Sequence, residues 1–379
     1  MKILFLSQGK KIEDHPGWHY ALEQLRREGI ISDFINIPYK GYAAQYGWPA
    51  FYEHVIELCR TQSFDLVYFH YFHGFKDACS PCRYLEALHN LPHKPAILTS
   101  AGDPFSDNWM MPDYPNDFKQ CSRMSDIVFS TQMGKAADKM IKWGAKNVVY
   151  TPHSLCPVRF ESCHIVPDRH NFDFDVIFIG NRNKPRVFNP LSKYSYAALK
   201  RERLVHALVR HYGTRLGLFG HGWEGMISWQ GRIPFEQQQK TFQRGKIVVG
   251  GSPYSYSDYY ASNRPFFAIS SGVPTVEFYV PRLEHILRNQ EHCYFCRSVD
   301  EILETCDRLL KCDPVELYAK AAKAADYIAE RHTQYHRMKF KIETALGYRA
   351  NGNKLDVAFP FFLPEIDLGE EMKYALRHI

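Results

Sequence analysis

The stretch KIVVGGSPYSYSDYYASNRPFFAISSGVPTVEF, residues 246–278, contains the elements that decide the fold. The apolar run at 246–251 predicts a buried strand, and PTVEFY at 274–279 predicts another. Between them, residues 260–271 have helical spacing and an apolar body. Strand, helix and strand in this order form a βαβ unit, which is typical of a parallel sheet.

The same alternation extends along the chain in both directions. Further strands are predicted at 2–7, 32–38, 64–72, 94–102, 125–132, 147–154, 173–180 and 215–220, and further helices at 18–29, 50–62, 197–212, 235–244, 299–311, 314–331 and about 333–347. Because the strands are nearly continuous apolar runs, helices are expected to cover both faces of each sheet. The sequence therefore predicts an α/β protein with two doubly wound, Rossmann-like domains that face each other across a cleft.

A polar, proline-containing stretch near 155–172 separates the two series of strands. A chain of 379 residues is long enough for two domains. We predict an N-terminal domain over 1–158, a C-terminal domain over 170–335, and a final helix and tail over 336–379.

The composition is that of a globular protein, with 45% hydrophobic and 23% charged residues. No apolar run approaches the roughly 20 residues that a membrane span needs. The apolar stretch at the N-terminus is too short for the core of a signal peptide. We therefore expect a cytoplasmic protein without a membrane span. The sequence does not indicate an oligomeric state.

Ten cysteines include two Cys-x-x-Cys pairs, CSPC at 79–82 and CYFC at 293–296. Together they have the ligand types of a four-thiolate zinc site, and each pair alone has the spacing of a redox site. The two pairs are more than 200 positions apart and lie in different predicted domains. Free thiols in a reducing compartment are the favoured interpretation, and no metal is predicted.

Positive charge is concentrated in residues 180–215, where nine Lys or Arg residues accompany one acid, Glu202. The formal net charge of the whole chain is only +6, so the excess is local. Phe188, Tyr194 and Tyr196 are interleaved with the basic residues. This pattern suits a polyanion with stackable bases. A solvated helix start with a few phosphate contacts is the alternative.

Two glycine-containing segments follow predicted strands of the C-terminal half. LFGHGW at 218–223 lets backbone approach a ligand closely, although a plain β-turn explains it equally well. The helix that begins near Ser262 presents unpaired N–H groups and a positive dipole end. Arg264 adds a forked donor that matches a diphosphate. A surface arginine on a core helix is the alternative.

DVIFIGNR, LGLFGHGW and SNRPFFAISSGVPTVEF, in this order, resemble the C-terminal half of GT-B glycosyltransferases, including those with family 1/4-like C-terminal domains. The resemblance is greatest to the CgeB-like (spore-maturation-protein-like) group and covers about 170–345. It implies a nucleotide-sugar donor, such as a UDP-sugar, bound by the C-terminal domain. It also implies an acceptor bound by the N-terminal domain, a C-terminal helix that crosses back onto that domain, and no obligatory metal or other cofactor.

The donor-binding residues expected on this basis are Gly180, Asn181, Arg182, Lys184, Gly220, His221, Gly222, Trp223, Ser252, Pro253, Ser262, Asn263, Arg264 and Glu277. The chain departs from the family pattern at one position. In the family, a glutamate in the helix that begins near Ser262 binds the ribose hydroxyls of the donor. This chain has Phe267 at the position of that glutamate. Glu277 is the candidate to replace that glutamate.

Transfer to a hydroxyl needs a general base, usually Asp, Glu or His. Asp103, held between Gly102 and Pro104 after a predicted strand, is the first candidate, followed by His73 and His15. The expected acceptor-binding residues are Gly9, Gly17, Arg186, Tyr194 and Tyr196.

The sequence thus predicts a metal-independent hexosyltransferase that uses a UDP-sugar and releases UDP. The basic residues of 180–215, called the basic window below, favour DNA as the acceptor, with a hydroxymethylated pyrimidine base flipped out of the duplex. A glycan of the cell envelope, or a protein, is an alternative acceptor. A third interpretation is a non-catalytic module that binds nucleotide or DNA on a GT-B scaffold.

Overall fold

The computed structural model describes residues 1–71, 81–102, 116–185, 187, 188, 190, 192–252 and 254–355. These residues divide into two compact units. Unit 1 takes in the described residues of Met1–Asp103, Tyr114–Pro152 and Gln334–Ile379, and unit 2 takes in those of His153–Thr333. The predicted site residues His73, Asp103, Arg186 and Pro253 lie outside the described residues.

Unit 1 contains a parallel sheet whose six described strands have the order β2-β1-β3-β4-β5-β6. The strands are β1 (Lys2–Ser7), β2 (Asp33–Pro38), β3 (Leu66–Phe69), β4 (Ala96–Ala101), β5 (Ile127–Ser130) and β6 (Val148–Tyr150). The helices of its described part are α1 (Pro16–Arg27), α2 (Tyr39–Tyr46), α3 (Trp48–Thr61), α4 (Pro81–His89), α5 (Asn116–Met124), α6 (Lys135–Lys142) and α12 (Gln334–Ala350).

The central strands of the sheet of unit 1 are buried on both faces because most of their positions are apolar. In β1, Ile3 and Phe5 belong to one apolar core, and Leu4 and Leu6 belong to another on the opposite face. The C-terminal helix α12 packs on α1, on the first of these faces. This placement agrees with the predicted return of the C-terminal helix to the N-terminal part of the fold.

Unit 2 contains a second parallel sheet, whose described strands have the order β12-β11-β10-β7-β8-β9. The strands are β7 (Phe174–Ile179), β8 (Leu216–Phe219), β9 (Trp229–Gly231), β10 (Gly245–Val249), β11 (Thr275–Phe278) and β12 (Tyr294–Cys296). The helices of its described part are α7 (Lys193–Tyr212), α8 (Gln238–Phe242), α9 (Asn263–Ser270), α10 (Val299–Leu309) and α11 (Pro314–Arg331).

The helices of unit 2 begin where their sequences provide caps. The side chain of Ser192 accepts a hydrogen bond from the backbone N–H of Ser195 at 3.1 Å, so α7 begins at Lys193. The sequence predicted this helix only from residue 197. Tyr194, Tyr196 and Lys200 are therefore helical residues. Most basic residues of the basic window lie on α7.

The structure describes both cysteines of the CYFC pair and Cys82 of the CSPC pair. Cys293 and Cys296 are buried free thiols, and burial raises the pKa of both; Cys79 lies outside the described residues. Within the described ranges, no three His, Cys, Asp or Glu side chains are grouped closely enough to hold a metal ion. None of the helices in that part of the chain has both the length and the apolarity that a bilayer span requires.

Candidate functional site

The carboxyl ends of β7, β10 and β11 are neighbours in the sheet of unit 2. Gly180 follows β7, Gly250 follows β10, and α9 begins with Asn263 before the chain enters β11. Open parallel sheets bind ligands at this edge of the sheet. The polar side chains gathered there define the candidate site.

Glu277 is a carboxylate on β11 that is only 1% exposed. Its Oε1 accepts hydrogen bonds from the backbone N–H groups of Ser252 at 2.5 Å and Phe278 at 2.9 Å. Its Oε2 has no hydrogen-bond partner among the described atoms. Burial raises the pKa of the carboxyl group, and the nearby Arg264 and Arg201 oppose that rise. An unsatisfied buried carboxylate oxygen is costly, and it is typical of a position that a ligand completes.

Two arginines lie near this carboxylate. Arg264 is the second residue of α9, and a Cβ built on Gly180 would lie 3.8 Å from its Cζ. Arg201, on α7, is 6% exposed and donates from Nη1 to the backbone oxygen of Asn181 at 3.0 Å. Burial, with a contribution from Arg264, lowers the pKa of Arg201 to about 10. The positive charges of Arg201 and Arg264 repel each other, and both are attracted to the carboxylate of Glu277.

Lys200 supplies a third cation. Its Nζ donates to the Oγ of Ser255 at 2.5 Å and lies 3.9 Å from the ring centroid of Phe278. Burial lowers the pKa of Lys200, and Glu277 opposes this effect. Lys200, Arg201 and Arg264 are called the cation cluster below, and the carboxylate of Glu277 acts on all three.

The N-terminus of α9 adds hydrogen-bond donors at the same place. Ser262 is the N-cap residue, but its side chain makes no capping hydrogen bond. In the described part of the chain, the hydroxyl oxygens of Ser262 and Ser252 are buried without a partner. Free backbone N–H groups, two free hydroxyls and three cations form an arrangement that favours phosphate oxygens.

The predicted glycine turn packs directly against the end of β7. Trp223 is buried and donates from Nε1 to the backbone oxygen of Gly180 at 2.6 Å. The Oδ1 of Asn181 accepts from the backbone N–H of His221 at 2.9 Å. Gly220 has φ +132°, and a Cβ there would come within 2.4 Å of the backbone oxygen of Gly180, so only glycine permits this approach.

The remaining predicted donor residues lie toward the surface of unit 2. Arg182 forms an ion pair with Glu202 and lies 5.7 Å from the ring centroid of Trp223, so its charge is already compensated. The side chains of Lys184 and Asn263 are exposed.

In the turn that contains Gly222, His221 contacts both Glu224, at 3.0 Å, and Arg232, at 2.6 Å. Hydrogen bonds from the backbone N–H groups of Glu224 and Gly222, followed by the His221 side chain, lower the pKa of Glu224 to about 2.

The predicted catalytic and acceptor residues belong to both units. His15 precedes α1, and its ring centroid is 6.3 Å from that of His70. Gly17 is buried in the first turn of α1, and the backbone oxygen of Gly9 accepts from the N–H of Gly41 at 3.1 Å. Tyr194 is half-buried and Tyr196 is exposed, both in the first turn of α7 in unit 2.

The sequence analysis did not single out Lys200 and Arg201. A signal was present, because Arg201 occupies the same helical face as Ala198, Val205 and Leu208, which are buried. Phe267, at the family's glutamate position, is a core residue here. Its ring lies 4.5 Å from that of Phe160 and 5.3 Å from that of Phe235.

Comparison with known proteins relates part of the chain to a known family. Residues 200–343, which contain the cation cluster and Glu277, match the family model described as Glycosyl transferase-like. The chain carries a glycosyl transferase-like domain. No curated protein matches the sequence of this chain.

Two solved structures with low sequence identity share the fold, and a third is similar over part of its length. An α-glucosyltransferase in complex with UDP and a 13-mer DNA containing an HMU base is 10% identical, with a TM-score of 0.60 over 91% of this chain and 99% of that one. Anabaena Alr3699/HepE in complex with UDP-glucose is 13% identical, with a TM-score of 0.54 over 92% and 99%. S. aureus TarM is 11% identical, with a TM-score of 0.47 over 76% of this chain and 57% of its own.

The first two structures and the domain match confirm the predicted fold class, two Rossmann-like units of the GT-B type. The family match over residues 200–343 confirms the predicted class of enzyme, a glycosyltransferase. The glycosyl transferase-like domain lies mainly in unit 2 and ends within α12 of unit 1.

Proposed function

We propose that this glycosyltransferase moves a sugar from a UDP-sugar to an acceptor hydroxyl, and that the cation cluster of unit 2 binds the donor's diphosphate. The observation that supports this most strongly is the grouping of three cations around the buried carboxylate of Glu277, beside the N-terminus of α9. Two structural neighbours were solved with UDP or UDP-glucose. The resemblance of the motifs at 173–182 and 262–278 to the CgeB-like group also supports the proposal.

In the proposed reaction, the bond between the sugar's anomeric carbon and the diphosphate oxygen breaks, and its electron pair leaves with UDP. The acceptor oxygen bonds to the anomeric carbon, and the acceptor proton passes to a base. Arg264, Arg201 and the N–H groups at the start of α9 stabilise the negative charge that develops on the diphosphate. The nucleotide sugar is a substrate, UDP is a product, and no further cofactor takes part in this proposal.

Glu277 has a separate role in binding the donor. Its free Oε2 accepts a hydrogen bond from a hydroxyl of the ribose or of the sugar. The helix position that holds a glutamate in similar enzymes is occupied by Phe267, which packs in the core. A carboxylate on the adjacent strand therefore replaces one on the helix.

The base is proposed to come from unit 1, with Asp103, His73 and His15 as candidates. His15 is the described member of this group, and it lies beside His70 near the carboxyl end of β3. An imidazole in this position is suited to accept a proton near neutral pH.

We further propose DNA with hydroxymethylated pyrimidine bases as the acceptor. Exposed Arg203 and Arg210 lie on the outer face of α7, and Lys184 and Tyr196 are exposed near its start. One structural neighbour was solved with a DNA that contains an HMU base. A cell-envelope glycan is the second candidate acceptor.

The proposed function is tested by measuring UDP release from a panel of nucleotide sugars, with and without acceptor. We expect release from at least one UDP-sugar, faster in the presence of duplex DNA with 5-hydroxymethylpyrimidine than with unmodified duplex. Binding of UDP without release from any donor would instead support a non-catalytic module. Release that is accelerated only by glycans would replace the DNA acceptor.

The DNA acceptor has its own test. Reversing the charges of Lys184 and Arg186 should weaken binding to the duplex and reduce the salt dependence of that binding. The matched control is charge reversal at Arg288, an exposed residue of unit 2 outside the basic window. Unchanged affinity at low salt would exclude DNA contact through this window.

A further inference from the structure

Unit 1 contains a buried cation that the proposed mechanism does not use. Lys341, on α12, is 3% exposed. Its Nζ donates to the Oη of Tyr68 at 2.6 Å and lies 3.4 Å from the Oγ of Ser100. The ring centroids of Trp18, Tyr68 and Phe129 lie 5.0, 5.2 and 5.5 Å from Nζ. Three aromatic faces and two hydroxyls therefore surround the amine.

No carboxylate of the described residues contacts this amine. The elements around it contribute Trp18 from α1, Tyr68 from β3, Ser100 from β4 and Phe129 from β5, none of which is negatively charged at neutral pH. On α12 itself, Arg337 lies one turn earlier and is also buried.

Two histidines are further titratable groups on this side of the unit. The ring of His70 lies 6.3 Å from that of Tyr68, and His15 follows at 6.3 Å from His70. Burial, with a smaller contribution from Arg337, lowers the pKa of Lys341 to about 7. The amine therefore gains and loses its proton within the working range of an enzyme.

We propose that Lys341 is a positioning residue, whose proton sets the direction of the hydrogen bond between Tyr68 and Ser100 and thereby controls the acceptor side of the transfer reaction. This inference rests on the proposed function, because it assigns the acceptor to unit 1. It adds to that function a protonation switch in the helix α12.

The two protonation states of Lys341 orient the hydroxyls in opposite directions. An ammonium group only donates, so the Oη of Tyr68 accepts from it and the Tyr68 O–H donates to Ser100, 2.5 Å away. The Ser100 O–H then donates away from the lysine. A neutral amine accepts from the Tyr68 O–H, the Ser100 O–H donates to Tyr68, and the free lone pairs of Ser100 accept hydrogen bonds.

These hydroxyls lie close to the carboxyl ends of β3 and β4. Ser100 is two residues before Gly102, and Tyr68 is two residues before His70. The ring of His70 lies 4.8 Å from that of Trp18, which also contacts Lys341. When the amine of Lys341 is neutral, the oxygen of Ser100 accepts hydrogen bonds. The neutral amine also carries no positive charge that would oppose protonation of a nearby base. Deprotonation of Lys341 is therefore expected to activate the acceptor side.

The kinetic test compares Lys341→Arg and Lys341→Met with the wild type between about pH 5.5 and 9. The matched control is Lys339→Met, on the same helix. UDP release from UDP-glucose is measured with 5-hydroxymethyluracil duplex and with water as acceptor. We expect kcat/KM of the wild type and of the control to rise about tenfold through a pKa near 7. Arg, which stays charged, should keep the low-pH value, and Met should remove this step from the profile.

Donor binding separates this inference from the proposed function. The Kd for UDP should be the same in all four proteins, because the cation cluster lies in unit 2. If the wild type does not bind UDP, the proposed function is contradicted, but the titration of Lys341 is not affected. A Met variant with the wild-type pH profile would overturn the inference.

A spectroscopic test needs no activity. In protein labelled with ¹³C at the lysine ε and tyrosine ζ carbons, the Lys341 signal should titrate near pH 7, and the Tyr68 signal should move with it. Lys341→Arg should abolish both changes, and Lys339→Met should preserve them. Titration of Lys341 at the ordinary lysine value of about 10.4, or a Tyr68 signal that does not follow it, would overturn the inference.

Discussion

The carboxylate of Glu277 packs against Gly250, so that a Cβ at position 250 would come within 2.0 Å of Oε2. Gly250→Ala must therefore displace the carboxylate from the free position that we assign to the donor hydroxyl. We expect the affinity for UDP-glucose to fall about tenfold, measured by calorimetry, because one charge-assisted hydrogen bond is lost. Gly347→Ala is the control, since its Cβ has no neighbour within 4 Å. Equal affinity in both variants would refute the assigned position.

Arg264→Ala is expected to lower turnover by roughly 100-fold while leaving the fold intact, because it removes stabilisation of the departing diphosphate. Arg264→Lys should restore part of this loss, since a lysine supplies charge without the forked geometry. Steady-state UDP release and thermal unfolding are the measurements. Arg288→Ala, which removes an exposed arginine paired with Glu291, serves as the control. Near-normal turnover of the Ala variant would show that Arg264 does not contact the diphosphate.

Arg201 should act together with Arg264. Arg201→Met removes the buried guanidinium but keeps much of its apolar stem, and we expect weaker binding of UDP that depends less on salt. Because both arginines are close to Glu277, their effects should be non-additive in a double-mutant cycle, with a coupling of about 0.5–3 kcal/mol. Strictly additive losses would indicate that the two residues serve different ligands.

Glu277→Gln keeps the shape of the side chain and an oxygen that can accept from Ser252. It removes the negative charge and one acceptor, so we expect the affinity for UDP-glucose to decrease about tenfold. Binding of inorganic diphosphate should instead become tighter, because the cation cluster then has no carboxylate to neutralise it. Opposite changes for the two ligands are the expected signature. A parallel change would contradict a direct contact between Glu277 and a donor hydroxyl.

The folding stability of unit 1 should depend on the proton of Lys341. The pKa in the folded protein, about 7, is below that of an unfolded lysine, so the unfolded chain binds more protons between these values. The free energy of unfolding therefore gains roughly 1 kcal/mol per pH unit from this group as pH rises from about 7 to about 10. Below that window, the contribution stays at its minimum.

Cysteines and tyrosines of the unfolded chain titrate in the same range, so the difference between wild type and Lys341→Met is the quantity to measure. Urea unfolding at a series of pH values gives this difference directly. We expect the wild type to gain stability relative to the variant as pH rises. A constant difference would show that the lysine is charged throughout this range.

Much of the fold could be predicted because each strand is a compact apolar run. Residues 2–7 and 216–219 form β1 and β8 as expected, and burial on both faces requires little more than their composition. The three-residue strands β9 and β12 were not predicted, since such short segments carry no periodicity of their own. Their pairing depends on neighbouring strands that are already in place.

The candidate site was predictable only in part. Arg264 follows from its place at a helix start, and it does lie beside Gly180. Arg201 and Lys200 were counted only as members of a basic window, although Arg201 lies on the apolar face of α7. Lys341 was not noticed at all, since its burial depends on packing against residues far away in sequence. Charged residues at apolar positions of a helix are the signal that links these cases.

The most direct test of the central claim is calorimetric titration of UDP and uridine into the wild type and into the Arg201→Met, Arg264→Ala double variant. If the cation cluster binds the diphosphate, the wild type should bind UDP at least about 100-fold more tightly than the double variant does. Uridine should bind both proteins equally weakly. Equal affinity of the two proteins for UDP would contradict the claim.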